Sequence, residues 1–421
     1  MFSRLKSHTL KLIKYVADKG FFHLLSANIL IQVVSFASQL FVAGILSPSD
    51  IGRIKIIQSF MSLFTIVAGM GFNTSTLKLA SENKSAAEIQ QIFRSGLIFT
   101  IASSVCMYVI ILILNYFKLF SSDQLINWLI PLGLFPLITN AVFGLFVSYF
   151  QAVKQIKLIS TLTMSNKIVS ILAIVLLTIW FGIKGYYFAL NASLIIIVLV
   201  SFRLSRSQLD IPINDIRGAW TMHWKYAKHA FTANFLSALS AYIDILLINI
   251  FTNNMHETGI YSFALTLTVI LTIFPSTVQQ ITMPYFSGLA NDRFEFAKIF
   301  RKYNKILYGV VSITLILSLI FAAPIIGFVF QGKYDASMPY FQILAIGWSI
   351  RQLTQLQSGA IFGLGKIQYT VYISIISLVL NIVIYSLFIH FLQIKGAAFA
   401  SIPANILLLL ISYLYFKKAM R

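Results

Sequence analysis

Long apolar runs alternate with short polar ones along the whole chain. Twelve of the runs are long enough to cross a bilayer: residues 22–46, 52–72, 92–117, 125–150, 158–181, 185–204, 229–252, 258–283, 304–330, 338–363, 369–392 and 396–416. A helix rises about 1.5 Å per residue, so roughly 20 residues cover a hydrocarbon core of about 30 Å. Lipid offers backbone amides no partners, and none of the runs alternates like a barrel strand, so helices are predicted throughout. The longest polar interruption, Arg203 to Lys228, divides the runs six and six.

The division coincides with a repeat. Ala27-Asn28 precedes Gly52 in SDIGR, and Ala233-Asn234 precedes Gly259 in ETGIY; the two glycines are offset by 207 positions. Ile183-Lys184-Gly185-Tyr186-Tyr187-Phe188-Ala189 returns as Ile394-Lys395-Gly396-Ala397-Ala398-Phe399-Ala400, offset by 211. Six being even, the second copy starts on the same side of the membrane as the first. The predicted fold class is therefore all-α: a polytopic membrane protein of about 12 transmembrane helices, arranged as two six-helix bundles around a central cavity. The expected domains are an N-terminal bundle over residues 1–204, a cytoplasmic linker over 205–228 and a C-terminal bundle over 229–421.

Polar residues inside the runs fall at helical spacing. Asn28, Gln32, Ser35 and Gln39 share one face of the first run, and Ser160, Thr163, Lys167 and Ser170 one face of the fifth. The seventh offers Ser237, Ser240 and Asp244, the tenth Arg351, Thr354, Gln355 and Ser358, and the eleventh Ser374, Ser377 and Asn381. An uncharged stripe can simply serve helix–helix hydrogen bonding, worth about 0.6 kcal/mol per pair. A guanidinium at mid-run is harder to place, since it costs about 2.5–3.5 kcal/mol at a helix centre. Arg351 is such a residue. The stripes together predict a hydrated cavity between the halves, with Arg351, Lys167, Asn28, Gln32, Gln39, Gln355 and Asn381 as substrate-binding candidates. Asp244 is a candidate cation site or salt-bridge partner of Arg351 or Lys167. Two cations against one carboxylate favour an anionic ligand.

Composition agrees with this class: 58% of residues are hydrophobic, 10% are charged, and the mean hydropathy is +0.84. The net charge of +20 does not mark a nucleic-acid binder, because the basic residues sit in short runs between apolar segments. Of 32 Lys and Arg, 24 fall in one alternate set of connections and the chain ends, which predicts that both termini are cytoplasmic. In that count Arg53 and Lys55 belong to an outer connection. The first 20 residues interleave Arg4, Lys6, Lys11, Lys14 and Lys19 with apolar positions, the pattern of an amphipathic helix on an anionic membrane surface. Pro136, Pro275, Pro324 and Pro403 mark expected kinks. The single cysteine, Cys106, forms no disulfide framework, the six histidines read as solvated, and no phosphate-binding loop or metal-ligand spacing occurs. No cofactor, metal or enzyme chemistry is expected.

In these features the chain resembles the Wzx-type O-antigen flippases, the polysaccharide-transport branch of the superfamily that also contains the MATE drug exporters. The resemblance is carried by the length, the twelve runs as two sixes, the basic amino-terminal segment, the LSPSDIG turn after the first run, the basic 2–3 and 8–9 loops and the IKG-x-x-FA repeat. It implies an undecaprenyl-pyrophosphate-linked oligosaccharide moved from the cytoplasmic to the periplasmic leaflet of a bacterial inner membrane by alternating access. Arg351 and Lys167 match the cationic cavity that the resemblance implies; Asp244 does not, leaving room for an H+- or Na+-coupled step. Membrane lipids and a polysaccharide polymerase are the implied partners. A MATE-type multidrug or cation antiporter is the alternative, and would favour anionic cavity residues. A polymerase or ligase would need a large external loop, and the longest here is about ten residues.

Overall fold

Helices begin where the sequence supplies caps. Ser47 accepts a hydrogen bond from the Asp50 amide (3.1 Å), with Pro48 in the first turn, and Asn254 accepts from the Glu257 amide (3.0 Å). Ser47 and Asn254 are 207 positions apart, as are Asp50 and Glu257, so the repeat seen in the glycines extends to the caps. In the structure, a computed structural model that describes residues 21–421 except 83, 210–214, 253 and 290–291, fourteen α-helices follow one another. They are α1 (Phe21–Ile45), α2 (Pro48–Gly69), α3 (Phe72–Ala80), α4 (Ala86–Tyr116), α5 (Gln124–Leu134), α6 (Pro136–Ala152) and α7 (Ile156–Leu204) in the first half. The second half holds α8 (Ile216–Phe251), α9 (Met255–Leu267), α10 (Ile270–Gly288), α11 (Arg293–Phe330), α12 (Met338–Gln352), α13 (Thr354–Gly363) and α14 (Ile367–Met420). The amphipathic helix expected over residues 1–20 lies outside the described residues.

Among the described residues, eight helical stretches are long and apolar enough to cross a membrane. Two of these are double. Helix α7, 49 residues long, would measure about 74 Å if straight; it breaks at Gly182 (φ 59°, ψ −140°) into two spans. Helix α14, with 54 residues, breaks in the same way at Gln393 (φ 55°, ψ −141°), which is 211 positions on. Adding α1 and the pair α12–α13 gives twelve spans, an all-α polytopic fold of two six-helix halves. Just after each break stands the repeated glycine. A Cβ on Gly185 would strike the carbonyl of Leu177, and one on Gly396 the carbonyl of Phe388, each eight residues back. The glycines let the two spans of a hairpin touch backbone to backbone.

The expected kinks are placed differently. Pro136 does separate α5 from α6, but Pro324 and Pro403 lie inside continuous helices, as does Pro275 in α10. The other breaks fall at Met70–Gly71, both with positive φ, at Thr268–Val269 and at Leu353. Helix α8 starts at Ile216, so residues 216–228 of the expected linker are its first turns. They pack against α3 and α4 of the first half. His223, expected in solvent, is fully buried there; its ring nitrogens lie 2.8 Å from Ser75 Oγ and 3.1 Å from Ser95 Oγ. Two serines and a backbone carbonyl, that of Ile92, satisfy the ring, which is why it can leave water.

The buried apolar residues fall into three main clusters. The largest takes in both halves, joining Val42, Ile56 and Leu134 to Ile243, Tyr261, Phe330 and Ile389. It occupies the end of the bundle where α1 ends at Ile45, α9 begins at Met255 and the 331–337 connection lies, called here the gate end. At the opposite, tail end are two clusters: Phe72, Phe93, Phe146 and Ile197 of the first half with Ala227 from the first turns of α8, and Phe286, Phe300, Leu356 and Phe416 of the second half. One core shared by the spans of both halves at one end and two clusters at the other describe spans that meet at the gate end and are bridged at the tail end by the first turns of α8.

Candidate functional site

Between α1, α2 and α7 of the first half, beside the shared core, the structure leaves a cavity of about 230 Å³. Its wall comes from α1 (Ser35, Ser38, Gln39), α2 (Lys55, Gln58), the first span of α7 (Lys167, Ser170) and the second (Tyr186), closed by Phe263 and Thr266 of α9. Apolar positions such as Val42, Ile54 and Ile174 alternate with these groups. Gln58 Nε2 donates to Tyr186 Oη (2.9 Å), fixing the amide against the wall. Lys55 is on the second turn of α2, half-buried, and Lys167 faces it from α7. Among the described residues the wall carries two ammonium groups and no carboxylate. Long stems keep both charges on flexible tethers, and the surrounding hydroxyls and amides can both donate and accept.

A second polar place lies in the other half. Ser240 and Asp244 of α8, Arg351 of α12, Asn381 and Tyr385 in the first span of α14 and Asn405 in its second converge there on a pocket that is nearly filled by its own side chains. Tyr261 Oη donates to Asp244 Oδ2 (2.9 Å), and Asn381 Nδ2 donates to Ser240 Oγ (3.0 Å). The Arg351 guanidinium lies 5.1 Å over the Trp348 ring. Asp244 is 8% exposed and feels the charges of Lys55 and Arg351, yet among the described residues no ion pair of 4.0 Å or less joins it to either. Its direct partner is a tyrosine hydroxyl.

The predicted residues thus divide between two places. Gln39 and Lys167 line the cavity; Arg351, Asp244 and Asn381 line the second pocket. Gln32 is half-buried on α1 away from the cavity wall, and Gln355 donates to the side chain of Gln352 on its own helix. The side chain of Asn28 lies outside the described residues. Arg351 and Lys167, expected to act together, do not share a wall. Lys55, counted with an outer connection although it stands inside the predicted run 52–72, belongs to α2, which starts at Pro48. The signal was present in the sequence: Lys55, Gln58 and Ser62 follow the same 3-and-4 spacing as the recognised stripes.

The gate end is dressed with ions. Arg53 holds Asp50 (3.0 Å) and Asp123 (3.0 Å). Burial pushes the Asp123 carboxyl up, but the Arg53 guanidinium and the Ile126 amide outweigh it and hold it below the ordinary carboxylate range. Lys333 donates to the carbonyls of Ala43 (3.0 Å) and Gly44 (2.8 Å).

By sequence the chain matches the polysaccharide biosynthesis protein family over residues 41–339. No curated protein matches it. Among solved structures it is similar to the inward-facing conformation of a multidrug resistance MATE family transporter of the MOP superfamily, at 12% identity and a TM-score of 0.76, covering 93% of this chain and 94% of that one. It is also similar to an outward-facing conformation of such a transporter (16%, TM-score 0.62, 94% and 93%) and to a Vibrio cholerae MATE transporter (14%, TM-score 0.64, 99% and 98%). At these identities the likeness is one of fold.

Proposed function

The chain belongs to the polysaccharide biosynthesis protein family, and on that premise we propose that it is a flippase for a lipid-linked oligosaccharide. The passenger is an undecaprenyl-pyrophosphate-linked repeat unit of O-antigen or a similar surface polysaccharide, carried from the cytoplasmic to the periplasmic leaflet of the bacterial inner membrane. The observation that supports this reading is the cavity wall: two lysines, two glutamines, three serines and a tyrosine, with no acid among the described residues. Such a wall suits a diphosphate carrying sugars, since ammonium groups take the phosphate oxygens while hydroxyls and amides exchange hydrogen bonds with the sugar.

In this reading the tail end faces the cytoplasm, both termini included, and the cavity is loaded from there. The diphosphate sits between Lys55 and Lys167, the sugars extend past Gln39 and Gln58, and the lipid tail stays in the bilayer. Residues 1–204 then rock against 229–421 across the 205–228 segment, closing the tail end and opening the gate end. Arg351 and Asp244 act from the second half, where Asp244 is the group for an H+- or Na+-coupled step. A polymerase would take the delivered unit outside. A multidrug antiporter carrying cations would present carboxylates to its cargo, and this cavity presents lysines.

Transport of a fluorescent undecaprenyl-diphosphate oligosaccharide in reconstituted vesicles tests the proposal. The intact chain should translocate it, and Lys55→Gln with Lys167→Gln should not; equal transport by both would remove the basis for the reading.

A further inference from the structure

The repeated glycines Gly52 and Gly259, far apart in sequence, meet in space. A Cβ on Gly52 would stand 2.7 Å from the Met255 carbonyl and 2.9 Å from the Gly259 amide; one on Gly259 would collide with the Pro48 carbonyl. Pro48 and Met255 are themselves 207 positions apart, so each half offers the same backbone atoms to the same glycine of the other. This is the self-complementary contact that a twofold axis imposes, formed here inside a single chain. The helices concerned, α2 and α9, make the most extensive contact between any two helices described. Either side chain, even a methyl, would force their first turns apart.

A second, asymmetric contact crosses the same seam. Helix α1 ends at Ile45, and its final carbonyls lack partners within the helix. Lys333 Nζ, from the connection between α11 and α12, caps those of Ala43 and Gly44, and Tyr334 Oη donates to Ala43 as well (3.1 Å). A cation at a helix C-terminus is favourable by charge as well as by hydrogen bond. Tyr334 is fixed in turn by stacking on Phe263 of α9 (3.9 Å between ring centres), the helix that carries Gly259.

We infer that the Gly52–Gly259 crossing and the Lys333–Tyr334 clasp on the end of α1 form one gate, closed in this structure and released as a unit when the halves change places. Its two parts have different jobs. The glycine crossing sets how closely the first turns approach and has no side chains to interlock, so it separates without unthreading. The clasp holds it shut: the Lys333 bonds lie at exposed and part-buried carbonyls, where water takes over as they break at little net cost, while the Tyr334 bond to Ala43 is buried and holds only as long as the seam stays closed. The inference goes beyond the proposed cargo: it concerns how this end opens, whatever is carried.

Leu46, 4% exposed, follows the end of α1 in the shared core and reports on the gate. In a Cys106→Ser background, Leu46→Cys in right-side-out vesicles should react slowly with a membrane-impermeant maleimide. Adding Lys333→Gln, which introduces no bulk, should raise the labelling rate several-fold, and adding Gly259→Val should raise it further. Unchanged labelling in the properly inserted Lys333→Gln protein would overturn the inference, even where Gly259→Val fails to accumulate. In a second arm, Gly44→Cys and Lys333→Cys are joined by a cleavable thiol cross-linker. Transport of the lipid-linked oligosaccharide should stop and return on cleavage; transport that continues with the seam cross-linked would also overturn it. A protein whose labelling follows the gate but which moves no lipid-linked sugar would sink the proposed cargo and leave the gate standing.

Discussion

The two halves repeat one another in backbone and differ in what they enclose. Both begin a buried helix with a capped turn and a carboxylate three residues on, and both join their last two spans through a break followed by a close-packed glycine. Inside, the first half keeps an open cavity with two lysines, while the second folds Asp244, Arg351 and Asn381 into a pocket with little room. At the gate end the first half ties its helix start with the Arg53 ion pairs, and the second uses the Tyr340 hydroxyl on Glu257. Position 53 corresponds to Ile260, which is buried and cannot bind an acid. Duplication preserved the frame, where backbone geometry is demanding, and released the interior, where the halves took separate tasks.

That contrast can be broken most severely at the cavity. A bond to a charged group contributes about 1.5–3 kcal/mol, so Lys55→Gln or Lys167→Gln should each cost roughly 10- to 100-fold in apparent affinity for the lipid-linked anion, with transport near background in the double variant. Binding to the reconstituted protein checks this. Arg351→Gln should weaken binding less than either, and an effect as large would assign both pockets to the head group.

Tyr261→Phe sharpens the other side. The change strips a buried carboxylate of its one side-chain donor and should lower stability by about 1–3 kcal/mol in thermal unfolding in detergent. Asp244→Asn, which leaves an acceptor for the tyrosine, should cost less. The reverse order would mean that the carboxylate is neutral as it stands.

The breaks allow a milder comparison, because Gly182 and Gln393 adopt the same left-sided φ with very different ease. Holding a side chain there costs about 1–3 kcal/mol, so Gln393→Gly should raise the melting temperature and Gly182→Gln lower it. The smallest effect is expected from acid. Asp123 has a depressed folded value, so its share of stability is present above the unfolded carboxylate value of about 3.9 and is lost as the pH falls below it. A melting-temperature titration should show that loss, and Asp123→Asn should flatten it.

Most of the frame was legible in the chain. The apolar runs and the 207 and 211 offsets each depend on neighbours a few residues away or on simple self-comparison. Much less of the site could be read. The spacing rule put Gln39 and Lys167 on faces that line the cavity, and it grouped Asp244, Arg351 and Asn381 among the wet faces. It had no means of telling that these belong to two different enclosures. Lys55 was overlooked because a charge near the end of an apolar run looks like part of a loop, and His223 because a lone histidine in a basic stretch looks solvated.

Sequence alone determined the number of spans, their order and their duplication, since helical periodicity and membrane thickness act over one helix at a time. The tertiary structure alone decided which stripes face one another, that Gly52 lies on Gly259, and that the apolar core is shared at one end and split at the other. Those outcomes depend on the fit of surfaces hundreds of residues apart, and a periodicity carries no record of its partner.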